Sequence, residues 1–168
     1  SILVHELGHA TAFRKFGGQP RILLYGMGGL AMAHGRFTRE QSIIITLGGP
    51  VFGLVLGGAV WVIAKWIIPD EAFRSLNLSA TIAFLLRINI AWSLLNLLPI
   101  YPLDGGHLLA HLMHGRHPEL RAKIGVACAI AAGVALFAYS GGRSIFPLLM
   151  FGYLAYMNYQ LAMRQGYR

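Results

Sequence analysis

Acidic residues are scarce in this chain: Asp and Glu number six among 168 residues, and all charged types together make up 12%. An ordinary soluble domain carries about twice that share of charge. With 56% apolar residues and a mean hydropathy of +0.59, a water-soluble fold is excluded. Cysteine is nearly absent as well. Cys128 is the single one and lies inside an apolar stretch, so no internal disulfide forms and the residue reads as small-side-chain packing. No cleavable signal pattern opens the chain, because Ser1 leads directly into an apolar helical pattern with polar ring-bearing residues four positions on. Internal repeats, low-complexity tracts and linkers are missing too, which leaves one expected core over residues 1–168.

What is present is long apolar sequence. Residues 41–64, 124–142 and 144–163 contain no charged side chain, and about 20 such residues cross a hydrocarbon core as a helix. The expected fold is therefore an all-α, polytopic transmembrane bundle. Spans are read near 43–63, 76–98, 124–140 and 145–163, the second interrupted by Arg87. A helix from Ser1 to about Phe16 would be about 24 Å long, short of a crossing, so further sequence is expected upstream. Arg14, Lys15, Gly17 and Gly18 mark its end. RILLY and LAMAH, separated by GMGG, predict a small β-hairpin with strands at 21–25 and 30–34. Thr38 suits a helix entry, Pro69, Asp70 and Glu71 mark a loop, and Pro99 and Pro102 break the helix ahead of LDGG. A short helix is expected from Gly106 to about His114.

Fourteen Lys and Arg against six acids would suggest nucleic acid in a soluble protein, but here the cations lie between apolar segments. Topology accounts for them, and the expected partner is the lipid bilayer, with no nucleic acid. If each span crosses once, Arg14, Lys15, Arg21, Arg36, Arg39, Arg116, Arg121, Lys123, Arg164 and Arg168 share one side, while Lys65, Arg74 and Arg143 share the other. An excess of ten over three places the hairpin, the LDGG loop and the C-terminus in the cytoplasm. The cell membrane is the expected location. Oligomeric state is not legible.

His5, Glu6 and His9 form HExxH. On a helix, positions i and i+4 share a face, so two imidazoles can reach one metal ion while Glu6 leans toward it. Zinc suits nitrogen donors of this kind, and a catalytic zinc needs three protein ligands plus a water. Placing three ionisable groups in an apolar helix is costly unless a metal compensates them. Asp104 is the candidate third ligand: no other acid lies between Glu71 and Glu119, and it follows a helix break on the same expected side. Glu40 and Glu119 are the other acids on that side.

HELGHA together with NLLPIYPLDGG resembles the site-2 protease family of intramembrane zinc metalloproteases. The shared positions are His5, Glu6, His9, Asn96, Pro99, Asp104 and Gly105, and the likeness extends over most of the chain, as a minimal form without PDZ or CBS domains. It implies one catalytic Zn2+ held by His5, His9 and Asp104, Glu6 as general base, and a single-pass transmembrane protein as substrate. Relatives often carry asparagine three residues after the proline of the GP segment; here Gly53 stands there. Asn96 is a candidate for binding substrate backbone or stabilising the oxyanion, equally a helix-end asparagine bonded to carbonyls. The hairpin edge could accept an extended substrate by strand addition, or serve structure alone.

Three further features are legible. Gly49, Gly53 and Gly57 make a smooth stripe where another helix can approach closely. Arg87 needs a partner or a wet cavity. His107, His111 and His114 share a helix face, where a second metal is less expected than plain solvation. The competing functional class is a zinc-binding membrane protein or metal transporter without hydrolysis, against which the presence of Glu6 argues.

Overall fold

A computed structural model describes residues 1–25, 28–69 and 76–166. The turn residues Gly26 and Met27, the loop acids Asp70 and Glu71, Arg74 and Arg168 lie outside the described residues. The order of elements is α1 (Ile2–Lys15), β1 (Gln19–Tyr25), β2 (Gly28–His34), α2 (Arg39–Trp66), α3 (Leu76–Asn96), α4 (Asp104–Leu112), α5 (Pro118–Tyr139) and α6 (Phe146–Gly166). The chain divides into two compact units, residues 1–96 and 97–168.

Among the described residues three helices, α2, α3 and α5, are long and apolar enough to cross a membrane. Their outward faces carry Val55, Trp61, Trp66, Phe84, Ile130 and Val134, all exposed. In water such surface would be a liability; in lipid it meets matching solvent. The fold is that of an integral membrane protein. Helix α6, expected as a fourth span, forms over Phe146–Gly166 but does not reach the same apolar standard among the described residues. Tyr153, Tyr156, Asn158, Tyr159 and Gln160 dilute it.

In the first unit, α2 enters at Thr38 as expected, ahead of its apolar run. Thr38 closes a capping box with Gln41, its hydroxyl accepting from the Gln41 N–H at 3.3 Å while the Gln41 side chain accepts from the Thr38 N–H at 2.8 Å. Such a cap contributes about 1 kcal/mol and fixes where the helix begins. Pro50 sits buried inside α2 without ending it, as membrane helices tolerate. β1 and β2 pair antiparallel from Gln19 opposite His34 to Tyr25 opposite Gly28, slightly longer than expected.

Glycines set the helix packing. A Cβ on Gly8 of α1 would overlap the Gly48 carbonyl of α2, and one on Gly48 would lie 2.6 Å from the Gly8 oxygen, so these two backbones touch. Gly49, Gly53 and Gly57 form the expected stripe: Gly49 faces α1, whereas Gly53 and Gly57 face Ser93, Asn89 and Ile90 of α3.

The second unit rests on α5 against α6. Ala122, Gly125, Ala129 and Gly133 make the buried face of α5, and a Cβ on Gly125 would strike the Asn158 side chain of α6. Phe151, Ala155 and Asn158 are the buried residues opposite. Small residues again bring two helices close in lipid, where dispersion replaces the hydrophobic effect as the driving force.

Candidate metal centre and catalytic helix

α1 holds His5, Glu6 and His9 on its buried side; their exposures are 5%, 6% and 8%. The helical rise brings the two imidazoles to one spot, with Nε2 of His5 and Nε2 of His9 3.2 Å apart. Two nitrogens each about 2.0–2.1 Å from a tetrahedral zinc would be separated by about 3.3–3.4 Å. The pair is therefore spaced as two ligands of one ion.

Nδ1 of His9 lies 2.7 Å from the Ile45 carbonyl oxygen of α2. The Gly49 N–H also points at this nitrogen, at 3.4 Å, and both contacts cannot be donor-to-acceptor bonds through one tautomer. The shorter one prevails: Nδ1–H donates to Ile45, which leaves the Nε2 lone pair turned toward His5. This is the outer-shell arrangement that fixes a metal-binding histidine and raises its basicity.

Gly49 forms the wall behind the pair. A Cβ there would lie 2.6 Å from Nε2 of His5 and would overlap Nε2 of His9 as well. The missing side chain is what leaves room at these candidate ligand atoms. Gly49→Ala is expected to weaken zinc affinity about 10–100-fold, the range for losing an outer-shell partner. Gly58→Ala, where a Cβ meets nothing within 4 Å, is the control; measured zinc content of the two purified variants checks this.

Glu6 is covered by the hairpin. A Cβ on Gly29 of β2 would come within 2.8 Å of the Glu6 carboxyl carbon and Oε1, so the strand backbone lies directly on the carboxylate. This contact was not legible beforehand; GMGG reads as a turn, whereas Gly29 is paired with Leu24 inside the ladder.

Asn96 ends α3 and is buried, the last of three buried polar residues, Asn89, Ser93 and Asn96, on one face of that helix. Asp104 is half-buried and stands as the first residue of α4, where a carboxylate complements the helix N-terminus. The expected helix start at Gly106 is thus two residues late. Gly105 and Gly106 are required by the turn before it: a Cβ on Gly105 would overlap the carbonyls of Leu97 and Leu98, and one on Gly106 would lie 2.7 Å from the Ile100 carbonyl carbon.

Sequence reading missed Asn158. Its amide clamps the backbone of Tyr101, accepting from the N–H at 3.1 Å and donating to the carbonyl at 2.7 Å, with a further bond to Leu154 O. The signal was an asparagine inside an apolar helix. Arg87 lies mid-way along α3 and is exposed. Among the described residues, His107, His111 and His114 do not gather into a metal-binding group.

The model of peptidase family M50 matches residues 63–139, which include the Asn96-to-Gly106 segment. The chain belongs to this family. It is 28% identical over 122 residues to a zinc metalloprotease of Methanocaldococcus jannaschii, covering 72% of this chain and 34% of that protein. It is 33% identical over 153 residues to Rip3 of Mycobacterium tuberculosis, covering 84% of this chain and 38% of Rip3. It is 30% identical over 125 residues to stage IV sporulation protein FB of Bacillus subtilis, covering 72% of this chain and 40% of that protein. The chain thus spans between a third and two fifths of the length of these relatives. Zinc is the metal that the family membership and the nitrogen donors on α1 both indicate.

Proposed function

We propose that this M50 chain is an intramembrane zinc endopeptidase that hydrolyses peptide bonds in or near the transmembrane segment of a single-pass, membrane-anchored protein. The observation that carries the reading is the pair of imidazole Nε2 atoms 3.2 Å apart beside a buried glutamate on the same helix. His5, His9 and Asp104 are the proposed ligands and the two units are proposed to work as one core. Bound zinc would supply Lewis acidity toward a carbonyl and a water.

The chain's own groups do the rest. Glu6 takes a proton from the attacking water and returns it to the leaving amine, as a general base that becomes a general acid. Burial beneath Gly29 keeps bulk water from the carboxylate. The Asn96 amide is the proposed donor to substrate backbone or to the developing oxyanion. The ten-to-three excess of cations supports an orientation in the cell membrane with this chemistry toward the cytoplasm.

A binding-only or transport role has no use for Glu6 beside the first ligand. Purified protein is expected to cut a membrane-anchored substrate in detergent, to stop on chelation and to resume with zinc. Zinc flux into protein-containing liposomes without any cleavage would overturn the reading in favour of transport.

Substrate must be unwound before a peptide bond is accessible, and the hairpin offers a strand to receive it. Leu23, Leu24, Leu30 and Met32 are exposed along β1 and β2, as an edge awaiting an apolar extended segment would be. A proline scan at these four positions is expected to lower cleavage at least several-fold while zinc content stays constant. Unchanged cleavage throughout the scan would assign the hairpin a structural role only.

A further inference from the structure

We infer that a cavity at the start of α5, in the second unit, is a phosphate site, and that in the membrane its occupant is the headgroup of an anionic lipid. The cavity has a volume of about 270 Å3 and is lined in part by Tyr101, His107, Pro118, Arg121 and Asn158. At about 30 Å3 per water, it holds a group the size of a phosphate with solvent to spare.

Arg121 is the recognising residue. Its Nε is buried and has no hydrogen-bond partner among the described residues, and its terminal nitrogen reaches the Gly115 carbonyl only at 3.5 Å. A buried donor left unused is destabilising, and a guanidinium fork matches a phosphate with two parallel bonds. Glu119, in the same turn of α5, does not neutralise it, being paired with Lys123 at 2.7 Å.

The surrounding field is positive. His111 has its pKa below the ordinary histidine value, first through burial and then through the charges of His107 and Arg121. Pro118 occupies the first turn of α5 and His117 provides no side-chain cap, so the positive end of a 22-residue helix adds its exposed N–H groups. Because α5 is apolar enough to span a membrane and Pro118 is its first residue, this corner lies where hydrocarbon gives way to headgroups. Lipid phosphates are concentrated there and free phosphate is not.

The test uses the full chain in detergent. Native mass spectrometry counts retained phosphatidic acid and phosphatidylcholine, and titration calorimetry follows inorganic phosphate. Phosphatidic acid is expected to be retained in preference to phosphatidylcholine. Arg121→Gln should reduce retention at least tenfold and His107→Gln several-fold, whereas Lys123→Gln, whose cation is engaged with Glu119, should not. Phosphate binding that depends on Arg121 without lipid retention would keep the site and overturn the lipid assignment. Absence of both lipid preference and Arg121-dependent phosphate binding, or equal losses in Arg121→Gln and Lys123→Gln, would overturn the proposal altogether. If Arg121→Gln fails to fold by circular dichroism, His107→Gln decides, and unchanged retention in it refutes the site.

Discussion

Glu6→Gln is expected to bind zinc like the parent protein and to lose cleavage by about 100-fold to 10,000-fold, the usual worth of a positioned general base. The amide is nearly the same size as the carboxylate, so it fits the same place against the backbone of Gly29. It retains hydrogen-bonding capacity in a buried place. What it cannot do is accept a proton from water at neutral pH. The His5 and His9 nitrogens are untouched, hence the unchanged metal content. Turnover of a membrane-anchored substrate and zinc by atomic absorption, measured on one preparation, separate the two properties. Wild-type turnover in the zinc-loaded variant would remove Glu6 from the mechanism.

Asp104→Ala should instead release the metal. Two imidazoles are one ligand short of a catalytic zinc site, and loss of even an outer-shell partner weakens affinity about 10–100-fold, so removal of the proposed third ligand is expected to cost about 100-fold or more. Cleavage disappears with the zinc. Glu119→Ala and Glu40→Ala are the comparisons. Glu119 is occupied with Lys123 at 2.7 Å, and Glu40 accepts from the Thr38 hydroxyl at 3.1 Å at the head of α2, so both variants should stay zinc-loaded. If Asp104→Ala keeps its metal and Glu119→Ala loses it, the third ligand has been misassigned. Asp104→Glu extends the same comparison: a retained carboxylate on a longer arm should recover part of the zinc and little of the activity, because turnover demands tighter positioning than binding does.

The two variants therefore fail in different ways, and the difference reflects how each residue is held. Glu6 is fixed between α1 and the backbone of β2. Asp104 is fixed by the start of α4 and by a turn so tight that Gly105 and Gly106 tolerate no Cβ, while Asn158 pins Tyr101 within that same turn.

By itself the sequence determined the solvent and the chemistry. Charge-free stretches about as long as a bilayer core imposed apolar helices, because in lipid only a helix satisfies its backbone within a single segment. HExxH put His5, Glu6 and His9 on one helical face, because 3.6 residues per turn leaves no alternative. These are local consequences of composition and period. Thr38 was legible as the entry to α2 and its capping box bears that out, whereas the start of α4 was placed two residues late, at Gly106, because an apolar pattern does not register the N-terminal preference of Asp104. Tertiary structure alone decided which glycines matter. Gly8 and Gly48 let two backbones touch, Gly49 clears the imidazole nitrogens of His5 and His9, and Gly29 seals Glu6. Each depends on segments that meet only after folding, and the absence of a side chain carries no sign of what will occupy its place.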